Sequence, residues 1–274
     1  MVIKQPDKLA IINLKNENTM NWKFWKKQSD KLEFWTEYPP LSDPSLSYLW
    51  PQPASKLFPE WIKDVPKEQP LPEQFRKNIF EKTFPTIKKC PVFAETLVQG
   101  VIIPLWQDYK ILINEDLSYH WEGRVKHHSL KIDVHPNPQY INFLPQHERD
   151  RLATTLKFVC PWHIKTPPGW SCYQMPLYYH FQDWSVLLGS IRTDTHHEIN
   201  TQVAFPKSLI GKEILIPRGT PWAWYVPYKR QTLGLEHIEY DPIMSQASWY
   251  SSISKFYDGY TTSGKKDRKD TKKG

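Results

Sequence analysis

The chain has 274 residues, of which 39% are hydrophobic and 14% aromatic, and its formal net charge is +7. This length allows one large β domain or two modest domains, each with a real core. The charge alone does not indicate nucleic acid, because residues 265–274 hold six basic and two acidic side chains and so carry +4 of the +7. We expect residues 261–274 to be a disordered solubilising tail, with an electrostatic tether to an acidic surface as the alternative.

Cysteine usage and hydropathy exclude several classes of protein. Cys90, Cys160 and Cys172 form no CxxC pair, and their odd number argues against a disulfide framework. No apolar stretch reaches about 18 residues, and the N-terminal sequence lacks a signal-peptide pattern. We therefore expect no membrane segment and a cytoplasmic location, which would be the host cytoplasm or the virion if the protein is viral. The sequence also lacks a Gly-rich phosphate loop, a Ser nucleophile elbow and a paired-Cys zinc site.

Residues 1–72 are predicted to form an extended arm rich in aromatic residues and proline, with short helices. Eleven prolines lie from Pro39 to Pro91, and each removes a backbone donor and disfavours helix before it. Its large aromatic side chains are too many for a free linker: Trp22, Trp25, Phe34, Trp35, Trp50, Phe58 and Trp61. The arm is expected either to wrap its own domain or to join a neighbouring subunit or virion partner, which would make a homo-oligomer or a virion assembly.

Residues 73–260 are predicted to form a mainly β domain. Two short helical patterns interrupted by Pro85 and Pro91 come first, within residues 73–99. After Gly100 the sequence alternates apolar and polar residues in short runs separated by turns, which predicts antiparallel strands. We expect a cupin-like or jelly-roll barrel or sandwich with few short helices. An amphipathic segment at residues 242–260 is predicted to close one end as a helix.

The segment GKEILIPRGTPWAWYVPYKR, residues 211–230, resembles the second motif of the cupin superfamily. The matching positions are Gly211, Pro217, Gly219, Trp222 and Val226. Pro-x-Gly is a turn in which glycine supplies a positive φ. Cupins place a metal-binding His where this chain has Trp222, so the resemblance implies the barrel without its usual metal centre.

The first cupin motif is weaker in this chain. Its best registration begins at Gly189 and puts Thr195, His197 and either Thr201 or Gln202 at the ligand positions. Of these residues, His197 alone has the expected type.

Several blocks together resemble a family of phage and bacterial proteins. They are KKCPVF, GVIIPLW, KFVCPWHIKTPPGWS, the block at residues 189–200, IPRGTP and VPYKR. The resemblance implies a β-rich domain and a viral or bacterial origin, and it implies no activity.

A different metal centre is the alternative hypothesis. His196, Glu198 and His237 have the residue types of the two-His, one-carboxylate triad that binds Fe(II) with 2-oxoglutarate. Such enzymes commonly use a basic residue after the second His, but here the next one is Lys255. The competing interpretation is a polar loop beside Asp194.

Two further hypotheses concern the aromatic residues. Alternation puts Trp222 and Trp224 on one strand face, where two indoles could form the floor of a pocket for a sugar ring; core packing is the alternative. We assign ligand binding to Trp222, Trp224, Arg192, His197 and Arg230. Aromatic residues interleaved with basic ones, in NWKFWKK and WAWYVPYKR, would suit single-stranded nucleic acid, which we rank lower.

The leading prediction is a metal-independent ligand- or partner-binding protein that needs no cofactor. Its ligand would be a small molecule or a protein partner, and its role that of a virus-encoded accessory or virion component. The first alternative is an Fe(II) oxygenase that uses the triad, and the second is binding of single-stranded nucleic acid.

Overall fold

The computed structural model describes residues 31–75, 82–243 and 245–246. The chain forms two compact units, one of residues 1–57 with 100–230 and one of residues 58–99 with 231–274. The predicted boundary between residues 72 and 73 falls inside the second unit, and segment 31–57 of the predicted arm belongs to the first.

The described residues are mainly β, as the alternation predicted. The strands in this part of the chain are β1 (Glu33–Thr36), β2 (Gln52–Pro53), β3 (Glu68–Pro70), β4 (Thr83–Pro85), β5 (Val101–Pro104), β6 (Tyr109–Ile113), β7 (Tyr119–Gly123), β8 (Ile132–His135), β9 (Leu152–Phe158), β10 (Trp162–Lys165), β11 (Trp170–Met175), β12 (Ser185–Val186), β13 (Gly189–Ile191), β14 (Thr201–Pro206), β15 (Glu213–Ile216) and β16 (Pro221–Lys229). The α-helices are α1 (Glu60–Asp64), α2 (Pro91–Leu97) and α3 (Gln146–Arg151). Short 3₁₀ helices are Pro39–Ser42, Pro44–Leu49, Ala54–Lys56, Glu73–Phe75, Ile87–Lys89, His128–Leu130, Asn137–Gln139, Ile141–Phe143, Tyr178–His180 and Lys207–Leu209.

Strand pairing in the first unit is antiparallel throughout the described residues. A five-stranded sheet has the order β13-β11-β16-β5-β2, a four-stranded sheet β12-β14-β9-β8, and a three-stranded sheet β15-β6-β7. Strand β1 pairs with β10. Within the described ranges none of these sheets closes on itself into a barrel.

One main core joins these sheets. Alternation shows clearly in β6, where Tyr109, Ile111 and Ile113 are buried and Lys110 and Leu112 are exposed. Each sheet sends side chains into this core: Cys172, Ala223 and Tyr225 from the five-stranded sheet, Leu156, Phe158 and Val203 from the four-stranded sheet, and Ile111, Ile214 and Ile216 from the three-stranded sheet. Because each Leu, Ile, Val or Phe side chain contributes about 1.5–3 kcal/mol when fully buried, the shared core holds the sheets together.

Segment 31–57 of the predicted arm packs on the first unit of its own chain. Phe34, Leu41 and Leu49 are buried in the main core, and Phe34 meets the edge of Trp162 at 5.5 Å between ring centroids. The arm also supplies β1 and β2 as edge strands. Residues 1–30, with two of the predicted aromatic contacts, lie outside the described residues.

The described residues of the second unit include the β3–β4 pair and the short helices α1 and α2. The two prolines predicted to interrupt helices have other positions in the structure. Pro85 ends strand β4, and Pro91 is the first residue of helix α2. Proline is tolerated in the first turn of a helix because its missing N–H would have had no intrahelical partner there. Trp61 and Phe93 contact each other at 6.4 Å between centroids. Most of the predicted helix at 242–260 lies outside the described residues.

The Pro-x-Gly turn behaves as predicted. Gly219 has φ +83°, and its N–H donates to Leu105 O at 2.7 Å. Thr220 N–H closes the turn onto Pro217 O at 3.2 Å. The turn therefore returns the chain from β15 into β16, where Trp222 follows.

Candidate ligand-binding site

An open depression of about 280 Å³ lies beside β13, the edge strand of the five-stranded sheet. Its walls come from β11, β13, the start of β14 and the loop before it. The lining residues are Gln174, Gly189, Ser190, Ile191, His196, Glu198, Asn200 and Gln202. Most are polar, and apart from the imidazole of His196 the carboxylate of Glu198 is the one ionisable group among them.

Strand register explains why the depression stays open. Gln174 lies on the same face of β11 as the core residue Cys172, and its cross-strand partner on β13 is Gly189. Partners across a strand pair point to the same face, so position 189 faces the depression. A Cβ built on Gly189 meets no atom within 4 Å. A larger residue at this position would fill part of the depression.

The floor of the depression is the buried amide of Gln174, which neighbouring polar groups hold in place. Gln174 Nε2 donates to Leu187 O at 3.0 Å and lies 3.3 Å from Gln202 Oε1. The hydroxyl of Tyr225 lies 2.9 Å from both Gln174 Oε1 and Ile199 O, and it can donate to one of them. Burial raises the pKa of Tyr225 well above its usual value, so the phenol stays neutral. The floor is therefore uncharged and its amide is held in one orientation.

The walls offer groups that the protein itself does not use. Gln202 uses its Oε1 toward Gln174, and its Nε2 has no hydrogen-bond partner among the described residues. Asn200 Oδ1 accepts from Cys160 N–H at 3.2 Å, which leaves Nδ2 only a long 3.5 Å approach to Glu198 Oε2. The side chain of His196 is exposed. Donors and acceptors thus face the same small volume.

The loop that carries these groups is anchored by an ion pair. Arg230 donates to Asp194 through Nη1 at 2.9 Å and Nη2 at 2.5 Å. Asp194 also accepts from Gly169 N–H at 2.9 Å. The Arg230 guanidinium, and then the Gly169 N–H, hold the pKa of the Asp194 carboxyl well below its usual range. Arg230 further contacts Trp170 O and Ser171 Oγ, which ties the loop to β11.

None of the five residues predicted to bind ligand lines the depression. Arg230 is committed to Asp194. His197 Nδ1 lies 3.0 Å from Thr193 O and 3.2 Å from Ile164 O, so it serves as a donor that shapes the loop. Arg192 is exposed, and its carbonyl accepts the N–H groups of Thr195 and His196 in a tight turn. Sequence reasoning thus found the loop and, through the metal hypothesis, two lining residues, His196 and Glu198, but not the amides that line the rest of the depression.

The predicted metal triad is divided between the two units. His196 and Glu198 line the depression, whereas His237 belongs to the second unit, in residues 231–241, which have no helix or strand. In the part of the chain that the structure describes, no group of three or more His, Cys, Asp and Glu could hold a metal ion.

The expectation that Trp222 and Trp224 share a face is wrong. The register of β16 against β5 shifts between Pro221 and Ala223, so Trp222 lies in a bulge. Trp222 is fully buried in the main core, at 4.4 Å from Phe158 between centroids, while Trp224 is 4% exposed in a separate small core. Both indoles pack in apolar cores and neither lines the depression.

The same burial bears on the nucleic-acid hypothesis. In WAWYVPYKR the aromatic residues Trp222, Trp224 and Tyr225 are buried and offer no face for base stacking, whereas Tyr228 is half-buried and stacks on Tyr173. The other segment, NWKFWKK, lies outside the described residues.

Cys160 and Cys172 are buried, and burial raises the pKa of the Cys172 thiol to about 11 and that of Cys160 further. Neither thiol is therefore poised as a nucleophile.

Sequence reasoning missed Gln174 and Asn200, and it met Gln202 only as one of two residues at a ligand position of the weaker cupin motif. A usable pattern existed for one of them: in SCYQM, residues 171–175, alternation puts Gln174 on the face of Cys172, and an amide on a core face needs polar partners.

No family model matches the chain, and no curated protein matches it. Among the described residues, no helix is long and apolar enough to cross a membrane.

Proposed function

We propose that the first unit binds a small, uncharged polar molecule in the depression at β13, without a metal ion. The observation that carries this proposal is the convergence of Glu198, Asn200 and Gln202 on one open volume above a fixed floor. These donors and acceptors are directional and are already held on strands and on an anchored loop. Binding therefore gains specificity while little conformational entropy of the protein is lost.

The size and charge of the depression limit the ligand. Its volume of about 280 Å³ lies just below the roughly 300–1,000 Å³ of typical ligand pockets, which suits one small molecule or one unit of a longer one. Glu198 disfavours an anion, because the lining holds no arginine or lysine to offset its carboxylate. Neutral amides at positions 200 and 202 suit hydroxyl or amide groups.

The proposal extends to the finer fold and the biological role. The Pro217–Gly219 turn followed by Trp222 supports a cupin-like or jelly-roll arrangement in which the usual metal residue is replaced. The resemblance to phage and bacterial proteins supports a virus-encoded accessory or virion protein.

An Fe(II) and 2-oxoglutarate-dependent oxygenase ranks second. One observation favours it, since His196 and Glu198 line the same depression. A bound 2-oxoglutarate would meet the carboxylate of Glu198 without a partner cation among the lining residues.

The test uses Gly189→Val. Valine is favoured in strands, Gly189 has no positive φ, and a Cβ there meets no atom, so the variant should fold and narrow the depression. The full chain would be screened by saturation-transfer NMR against uncharged monosaccharides, polyols, nucleosides and simple amides, with 2-oxoglutarate and sugar phosphates as charged counterparts. Leu215→Val, at an exposed position on β15, is the matched control.

We expect at least one uncharged compound to bind the wild-type chain and the Leu215→Val control equally, and to bind Gly189→Val at least about tenfold more weakly. Unaltered binding by a folded Gly189→Val chain, or no uncharged binder, would overturn the proposal.

A further inference from the structure

Two tyrosines stack on each other on the outer face of the five-stranded sheet. Tyr173 on β11 and Tyr228 on β16 are stacked, with 4.2 Å between ring centroids and 15° between ring planes. They lie at diagonal positions of the paired strands, since Tyr173 is opposite Val226 and Tyr228 opposite Ser171. Tyr173 remains 41% exposed although it lies within a strand.

This tyrosine pair adjoins the depression through Ser190. Ser190 is the cross-strand partner of Tyr173, and its Oγ lies 2.7 Å from Tyr228 Oη. The same Ser190 lines the depression. Gly189 and Ser190 are successive residues of β13 and so point to opposite faces, which puts the depression and the tyrosine pair on the two faces of this edge strand. A ligand longer than the depression would have to pass around the outer edge of β13 to meet Tyr173.

The chemistry of the two surfaces is complementary. The depression offers uncharged donors and acceptors that suit hydroxyl groups, whereas the tyrosine pair offers a rigid apolar ring face with a large contact area. A sugar ring matches both surfaces, because its hydroxyls lie around the edge of the ring and its C–H groups form an apolar face. A single small amide would use the depression alone.

We infer that the ligand is a carbohydrate of two or more sugar units, with one ring in the depression and the next ring against the exposed part of Tyr173. This inference rests on the proposed function. To that function it adds the chemical class of the ligand, a carbohydrate, and a second subsite at Tyr173. Ser190 acts as a positioning residue, because its hydroxyl holds Tyr228 and so fixes the plane of the pair.

The test compares mono- and disaccharides on the full-length protein. Glucose, galactose, maltose, cellobiose and lactose would be titrated by calorimetry or NMR into wild type, Tyr173→Ala and Tyr173→Phe. Phe143→Ala, which removes an exposed aromatic ring from a 3₁₀ helix outside the site, is the matched control.

We expect a disaccharide to bind better than its monosaccharide. Tyr173→Ala should lower disaccharide affinity about 3- to 10-fold, as expected for loss of one aromatic contact, and leave monosaccharide affinity unchanged. Tyr173→Phe keeps the ring and should keep the affinity, as should Phe143→Ala.

Three outcomes would overturn the inference: no saccharide binding, equal loss of mono- and disaccharide binding in Tyr173→Ala, or an unaffected disaccharide. If nucleosides or amides bind in a Gly189-dependent way while saccharides do not, the carbohydrate assignment fails and the proposed function stands.

Discussion

The imidazole of His163 lies almost parallel to the indole of Trp35, with 5.1 Å between ring centroids and 9° between ring planes. The two residues are cross-strand partners in the β1–β10 pair, and His163 is only 7% exposed. His163 Nε2 lies 3.0 Å from Glu37 Oε1, at ion-pair distance but outside hydrogen-bond geometry. The indole also meets the edge of His197 at 5.3 Å. Trp35 thus joins the arm to β10 and to the loop of the candidate site.

Replacing Trp35 should loosen the arm. Trp35→Ala removes a half-buried ring and its stacking, and we expect the free energy of unfolding to fall by about 1–3 kcal/mol in urea titrations. Glu33→Ala on the same strand is the control, because its 3.6 Å approach to Lys165 is a surface ion pair worth about 0–1 kcal/mol. Equal small effects in both variants would show that the stack does not hold the arm.

Asp194 should make stability depend on pH in the acid range. Because Arg230 and Gly169 lower the folded-state pKa of Asp194 below its usual value of 3.8, its stabilising contribution is complete above that value. The contribution is lost as the pH falls through the folded-state pKa. Asp194→Asn should therefore be less stable than wild type at pH 6, and this difference should narrow progressively below about pH 4.

Urea midpoints of both chains between pH 2 and 7 measure this dependence. Arg230→Lys should also lower stability at pH 6, since lysine cannot reproduce the two-point contact. A difference between wild type and Asp194→Asn that stays constant across the range would contradict the assignment.

Gly100 is a position where a side chain cannot fit. Its φ is +68°, and a Cβ would lie 2.1 Å from the carbonyl oxygen of Tyr225. Gly211→Ala is the matched control, because Gly211 has φ +73° but no atom within 4 Å of its Cβ. We expect Gly211→Ala to cost about 1–2 kcal/mol from the backbone alone, and Gly100→Ala to cost clearly more or to prevent folding. Thermal unfolding of both variants measures this difference in stability, and equal unfolding midpoints would refute the predicted clash.

The iron content of the purified protein distinguishes metal-independent binding from the Fe(II) oxygenase. Purification in the presence of Fe(II), followed by metal analysis, should give well under one iron per chain, with no change in His196→Ala. The reason is that His196 and Glu198 have no third ligand from the described residues. Stoichiometric iron in wild type that is lost in His196→Ala would favour the oxygenase.

The positions of the strands along the chain could be predicted from the sequence, but their order in the sheets and the depression at β13 could not. The alternating runs after Gly100 correspond closely to β5 through β16, because alternation reports which face of a strand is buried. The loop at residues 192–200 was also identified, through its His and Asp residues. Its lining amides were not, since an amide gains a function only from the partners that surround it.

The sequence by itself determined the antiparallel β class and the turn at Gly219, since the first depends on local periodicity and the second on the backbone freedom of one residue. Tertiary structure decided what depends on register between distant strands. The bulge at Trp222 sends its indole and that of Trp224 into different cores, and the pairing of Gln174 with Gly189 opens the depression. Register is set by the packing of whole sheets, so no single segment encodes it.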